Sequence, residues 1–508
     1  MEQKDRTHIW LLKIAMIATS ALIALPGCAV GPDYRRPDAP ETGSFTAGAL
    51  PEKTVASPVA GGEEQRFVSK QDIPDQWWTL FQCPDLDELI RLALKDNPSL
   101  AAARATLRQA QENLNAGYGA LFPSLDAQAS VSRQKVSGIS SGEPNIIISP
   151  YTVYNASVNV SYMVDLFGGT RRELETLQSQ VDYQQFQIEA AYLTLTSNVV
   201  TTAVKEASLR AQIRSYTDII GDQEKQLKVV EQQFRLGGVS LPDLLAQKAQ
   251  LAQTRAVLPP LEKELSQTGH QLAVLTGRLP SEAKLPDFDL DGLKLPRELP
   301  VSLPSELVRQ RPDIRAAEAL LHAASAQVGV ATANLYPQVT LSGSFGSVAT
   351  KAGDLFASGM DVWSLGAGVL QPVFHGGELT ARRRAAVAAY DAASAQYRET
   401  VLQAFQNVAD VLRALDADAL ALKAQAEAEA AARDSRDITG KQFSLGAVSY
   451  LTLLDSERQY QQARIALVQV QAVRYADTAA LFQALGGGWW NRQTQGDAKM
   501  KVRRESGD

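Results

Sequence analysis

Cysteine is nearly absent. Cys28 and Cys83 are the only two in 508 residues, which excludes a disulfide framework and any multi-cysteine metal site. Histidine is almost as scarce: His8, His270, His322 and His375 lie far apart without an H-x-x-x-H pair, so each reads as a surface or helix-face residue. G-x-S-x-G, H-E-x-x-H and P-loop patterns are lacking as well. Carboxylates are plentiful but fall among Gln, Arg and Lys, the pattern of solvated helical faces. These absences argue against an enzyme and against a bound metal or organic cofactor. A basic excess is also lacking: the formal charge is -6 and the pI near 5.5, which speaks against a nucleic-acid partner. Seven per cent aromatics and five Met leave a lean interior, suited to long helices rich in Ala, Leu and Gln.

What is present starts at the N-terminus. Lys4, Arg6 and Lys13 precede the 12-residue apolar run Ile14–Leu25, and "LPGC" ends at Cys28. A charged start, a short apolar core and a small-residue exit describe a secretory signal over 1–27. The run falls short of the roughly 20 apolar residues that span a bilayer. Leu25-Pro26-Gly27-Cys28 resembles the bacterial lipobox, which implies a covalent lipid on Cys28. Ala29 in place of Asp implies, by the same resemblance, sorting to the outer membrane.

Residues 28–83 are rich in Pro, Gly, Ala and Glu and read as an extended strap. The ordered part opens at Trp77-Trp78. In the helix that follows, Asp85 is the expected cap, Leu86, Leu89, Ile90 and Leu94 form one apolar face, and Pro98 marks a break.

The chain then repeats itself. "NPSLAAARATLRQAQENLNAGYGALFPSL" from Asn97 matches "RPDIRAAEALLHAASAQVGVATANLYPQV" from Arg311 at a spacing of 214. "EQQFRLGGVSLPDLL" from Glu231 returns as "GKQFSLGAVSYLTLL" from Gly440, a spacing of 209. The repeats cover 84–277 and 304–486, joined by a Pro-rich segment, 278–303, with a tail over 487–508. Pro280, Pro286, Pro296 and Pro300 keep the joining segment from regular helix.

Each repeat holds two stretches of period two. Leu125, Ala127, Ala129 and Val131 alternate with Asp126, Gln128, Ser130 and Ser132; Tyr154 to Val164 alternates with Asn155, Ser157, Asn159 and Ser161. Strands are expected at about 122–134 and 151–166, and again at 336–348 and 361–373. One polar and one apolar face suits a membrane barrel, and equally a half-buried soluble sheet. Two long helices follow: Thr170 to Phe234 has no Pro and one Gly, and Glu378 to Phe443 no Pro and only Gly440. At 1.5 Å per residue, some 65 residues reach roughly 100 Å. "RLGGVS" and "SLGAVS" read as the turns ending them, with Gly237 and Gly446 as left-handed C-caps and Ser240 and Ser449 as caps of the returning helices.

"GCAVGPDYRRP" (Gly27–Pro37), "VDLFGGTRRELE" (Val164–Glu175), "RPDIRAAE" (Arg311–Glu318) and "SYLTLLDSER" (Ser449–Arg458) occur in this order. They resemble the outer membrane efflux lipoproteins of the TolC/OprM/NodT type, and the likeness runs to "ALGGGWW" (Ala484–Trp490). The resemblance implies a mainly α protein with a membrane β-barrel, built from a duplicated strand pair plus long helical hairpin. It implies a homotrimer in which four strands per copy close one barrel in outer membrane lipid and the helices form an α-barrel duct through the periplasm. It also implies work beside a periplasmic adaptor and an inner-membrane pump, of the resistance–nodulation–division type, exporting drugs or other toxic small molecules. A type I protein-secretion channel and a non-channel coiled-coil lipoprotein are the alternatives.

Site residues follow from the same likeness. Leu451, Asp455 and Arg458 share a helix face and match the family's periplasmic gate, whereas the first repeat has Pro242, Ala246 and Ala249 there. The tips, Leu236, Gly237, Gly238 and Val239 with Leu445, Gly446, Ala447 and Val448, are the expected adaptor contact. "TRR" (Thr170–Arg172) and "ARRR" (Ala381–Arg384) are expected at the membrane boundary, holding anionic headgroups or serving as solvated helix starts.

Overall fold

A computed structural model describes residues 29–135 and 149–492. The expected signal peptide, Cys28 and most of the tail lie outside these residues. Two units emerge. The first comprises 29–36, 107–183 and 317–397, and the second 37–106, 184–316 and 398–492, within the described residues.

In chain order the elements are β1 (Arg66–Ser69), α1 (Pro84–Asp96), α2 (Pro98–Tyr118), β2 (Ser124–Gln134), β3 (Tyr151–Val164), α3 (Gly169–Arg235) and α4 (Leu241–Leu275). They continue with β4 (Glu298–Val301), α5 (Pro304–Gln310), α6 (Pro312–Ala333), β5 (Gln338–Ala349), β6 (Asp361–Leu370), α7 (Glu378–Ser444) and α8 (Tyr450–Ala484). The duplication is metrical: α3 and α7 both have 67 residues and α4 and α8 both 35.

Capping explains the breaks. Asp85 does not cap α1: Cys83 occupies that position without a side-chain bond, Pro84 opens the helix, and Asp85 and Asp87 sit in its first turn. There their charge favours the positive end of the helix. Asn97 separates α1 from α2, its side-chain oxygen accepting from the N–H groups of Ser99 at 2.9 Å and Leu100 at 3.2 Å.

The first unit is organised on a four-stranded antiparallel sheet in the order β2-β3-β5-β6. Its register sets like against like. Leu125 pairs with Val160, Val158 with Phe345, Phe345 with Trp363 and Val339 with Val369, while Asp126 pairs with Asn159 and Ser344 with Ser364. One face is therefore apolar across all four strands and the other is largely polar. The apolar face is bare: Leu125, Phe345, Trp363 and Val369 are each at least 64% exposed. Among the described residues no helix is long and apolar enough to cross a membrane.

The second unit buries its largest side chains where strap and repeats meet. Trp77 stacks on Phe482 with ring centroids 5.2 Å apart, and Trp77, Phe81, Tyr475 and Phe482 are essentially fully buried. Here the strap gains a partner, since β1 pairs in parallel with β4 of the Pro-rich segment, Phe67 opposite Leu299. Buried Arg474 holds the strap by donating to Thr54 at 3.0 Å and to the carbonyl of Glu63 at 2.7 Å.

Both hairpins close alike. Gly237 and Gly446 have φ of 75° and 73°. The N–H of Gly238 donates to the Gln233 carbonyl at 2.8 Å and that of Ala447 to the Gln442 carbonyl at 2.9 Å. This is the Schellman ending, which satisfies carbonyls that the last turn leaves free. Ser240 and Asp243 then form a full capping box, and Ser449 caps α8 by accepting from Thr452. We predict that Gly446→Val destabilises the second tip by roughly 1–2 kcal/mol, the cost of a branched residue in left-handed backbone. Limited proteolysis near Phe443–Tyr450 should accelerate, while Gly238→Ala, whose added Cβ meets nothing closer than 3.5 Å, should cleave at the parent rate.

Candidate functional site

The returning helix α8 has two faces. Tyr450 and Leu454 turn inward and form a cluster with Val230 and Leu244, against which Leu227, Val239, Ala246 and Phe443 pack. This cluster ties the first hairpin to the second, and the Tyr450 hydroxyl also donates to the Gln247 side chain. With that face fixed, Leu451, Asp455 and Arg458 project from the opposite side and are all exposed. Asp455 accepts from Gln459 at 2.8 Å rather than from Arg458, so a local Asp–Arg pair does not form. In the first repeat Pro242 and Ala249 are exposed and Ala246 half-buried, and none carries charge.

The tips present their small and leucine residues. Leu236 is 79% and Leu445 83% exposed, and Gly237, Gly238, Gly446 and Ala447 are exposed with them. Val239 and Val448 are half-buried, with Val239 on the internal cluster, so they support the tips more than they present a surface.

"TRR" departs from the expectation. Asp165 caps α3 by accepting from the N–H groups of Thr170 at 3.2 Å and Arg171 at 3.0 Å. Arg172 neither faces headgroups nor is solvated: it is 5% exposed and pairs with Asp33 at 2.6 Å and Glu175 at 2.7 Å. Arg382, Arg383 and Arg384 are exposed, and Arg382 pairs with Glu378 at 2.5 Å, as on a solvated helix start.

Two carboxyl groups carry more than their sequence context suggests. Glu457, one residue before Arg458, has a buried oxygen with no hydrogen-bond partner. Burial pushes its carboxyl up to about 7 against the opposing pull of Arg436. Arg436 lies 4.2 Å from the Tyr460 ring centroid and pairs with Asp437 at 2.6 Å. Asp418 is likewise pushed up to about 7, by burial and then by its hydrogen bond with Asp477. Periodicity gave no signal for either, because both sit among charged residues that read as solvated faces. His322, expected on an ordinary helix face, is bonded to Glu175 at 2.8 Å and stacked on Tyr34. Among the described residues no group of His, Cys, Asp and Glu is arranged to hold a metal ion.

With this geometry in hand, comparison with known proteins is informative. The family model described as outer membrane efflux protein matches residues 89–278 and 303–487, which are the two repeats. The pyoverdine export outer membrane protein OpmQ of Pseudomonas aeruginosa is 33% identical over 444 residues, 85% of this chain and 92% of that protein. The probable outer membrane lipoprotein SilC of Salmonella typhimurium is 28% identical, over 94% of this chain and 100% of its own. Among solved structures, the outer-membrane channel OprN superposes with a TM-score of 0.81 at 28% identity, covering 91% of this chain and 100% of that one.

The buried carboxyl generates a prediction. A folded pKa near 7, above the ordinary 4.5, means that the folded chain holds this proton more tightly than the unfolded one. Glu457 therefore costs nothing at low pH and costs stability progressively as pH rises from about 4.5 to about 7, by at most about 1.4 kcal/mol per pH unit. Glu457→Gln should unfold at a higher temperature than the parent at pH 8 and at nearly the same temperature at pH 4.5. Parallel melting profiles across that window would show the carboxyl to be solvated.

Proposed function

This chain belongs to the outer membrane efflux protein family and is an efflux channel of the outer membrane, and we propose that it works there as a passive homotrimeric duct without catalysis of its own. The observation that carries this reading is the four-stranded sheet with one bare apolar face, one largely polar face, and both edge strands, β2 and β6, without a neighbouring strand among the described residues. In lipid each unpaired peptide group costs several kcal/mol, so an open sheet cannot remain there alone. The strands alternate in direction, which makes β6 of one copy an antiparallel fit for β2 of the next. Two copies would give eight strands, whose interior side chains would fill. Three give twelve, leaving a lumen lined by Ser157, Asn159, Ser342 and Ser344.

Asp455 and Arg458 belong at the far, periplasmic end of that duct. Exposed in one chain, they become rings of three charges when copies are arranged about an axis, and pair between neighbours across a narrow pore. In such confinement screening is weaker than at an open surface. The exposed tips of both hairpins then meet a periplasmic adaptor, which couples the duct to an inner-membrane pump exporting drugs or other small toxic molecules. A lipid on Cys28, supported by the lipobox pattern, adds a second attachment to the membrane.

Two experiments test this reading. In planar bilayers, Asp455→Ala with Arg458→Ala should raise single-channel conductance, and cells carrying the variant should become sensitive to vancomycin. Unchanged conductance from normally assembled trimers would reduce the pair to an ordinary helix face. Separately, cysteines at Gly238 or Ala447 should crosslink to the adaptor in cells, whereas crosslinks confined to 278–303 would move the contact to that segment.

A further inference from the structure

The residues that follow Cys28 do not lie loosely on the first unit. The Val30 N–H donates to the Phe167 carbonyl at 3.0 Å, and its own carbonyl accepts from Arg172 Nε at 3.3 Å. Asp33 pairs with Arg172 at 2.6 Å, Tyr34 stacks on His322 with centroids 4.2 Å apart, and Arg36 pairs with Glu318 at 2.7 Å. His322 is itself held by Glu175 at 2.8 Å, and Glu175 by Arg172 at 2.7 Å. Backbone meets backbone at Gly31, where an added Cβ would stand 2.4 Å from the Cα of Gly329. Seven residues of strap thus engage α3 and α6 through ion pairs, a ring stack and a contact open only to glycine.

The internal duplication makes a control. At the spacing of 209, Arg172 and Glu175 correspond to Ala381 and Arg384. At the spacing of 214, Glu318, His322 and Gly329 correspond to Arg104, Arg108 and Asn115. Asp33 would meet Ala381 in place of its arginine partner, Arg36 would face another arginine, and Asn115 would stand where Gly31 must approach. The receiving residues lie on α3 of the first repeat and α6 of the second, and the equivalent positions on α7 and α2 lack them.

We propose that the groove of α3 and α6 is a docking site for the chain's own Val30–Arg36 peptide, and that docking determines where the lipid on Cys28 enters the membrane. The site sits where β3 passes into α3, because Ala29 abuts Gly168: a Cβ on that glycine would be 2.6 Å from the Ala29 Cα. Consecutive Cα atoms are about 3.8 Å apart, so the anchor has one peptide of reach from this junction. Each copy contributes two strand-to-helix junctions, one before α3 and one before α7, and the lipid is directed to the first. The inference rests on the reading of Cys28 as lipidated and of the sheet as membrane-embedded.

The test uses the full-length protein in cells fed a palmitate bearing a terminal diazirine. After irradiation, mass spectrometry maps the adducts. Adducts are expected on β3 and its neighbours, at residues such as Val158 and Val160, in preference to β6 at Trp363 and Leu365. Arg36→Glu, which sets two carboxylates face to face, should lower the ratio of β3 to β6 adducts at least tenfold, and Arg36→Glu with Glu318→Arg should restore it. Even labelling of β3 and β6 in the parent, or a ratio unmoved by Arg36→Glu in assembled protein, overturns the docking role. Absence of palmitate from the parent, with Cys28→Ala indistinguishable from it, overturns the lipid reading and with it any anchoring by this groove.

Discussion

An antiparallel sheet with two open edges and one bare apolar face is the constraint on which the rest of this molecule depends. In water such a face would drive aggregation, and in lipid the edges would leave peptide groups without partners. In the proposed duct, lipid covers the apolar face and joining copies through β2 and β6 pairs the edges. The same constraint accounts for the pattern of burial. The first unit keeps few large buried side chains, while the aromatic core of Trp77, Phe81, Tyr475 and Phe482 belongs to the second. A barrel wall one strand thick has no interior of its own to fill, and the chain packs its core elsewhere.

Duplication supplied the two strand pairs and the two helical hairpins, and the copies differ in charge. The helices retain equal lengths and both tips retain the same Schellman ending, because those features serve geometry common to both repeats. Charge does not follow the repeat. Asp455 and Arg458 stand where the first copy has Ala246 and Ala249, and Arg172, Glu175 and Gly329 of the strap's groove stand where the other copy of each helix has Ala381, Arg384 and Asn115.

Coupling between these parts runs through few contacts of identifiable kind. Tyr450, Leu454, Val230 and Leu244 bind the two tips into one cluster beneath the exposed face of Leu451, Asp455 and Arg458. The start of α8 is thereby packed against the first hairpin, and Glu457 adds a carboxyl near it whose neutral form fits its surroundings best.

Much of this was legible in the sequence because the signals are local. Period two located β2, β3, β5 and β6 within about three residues at each end, and unbroken stretches without Pro delimited α3 and α7 within one. Gly237 and Gly446 announced the turns, since only glycine takes left-handed backbone without cost. Local preference misled at Asp85, where Pro84 at the first helical position moved the boundary by two residues. What tertiary structure alone decided involves partners distant in the chain. Arg172 looked like a membrane-boundary cation until Asp33 and Glu175 enclosed it, and β1 found β4 more than two hundred residues away. Glu457 looked solvated until packing buried it near Arg436. Periodicity records which face of an element is apolar. It does not record which charged groups the packed elements bring within 3 Å of one another, and the environment of a charge is set by that packing.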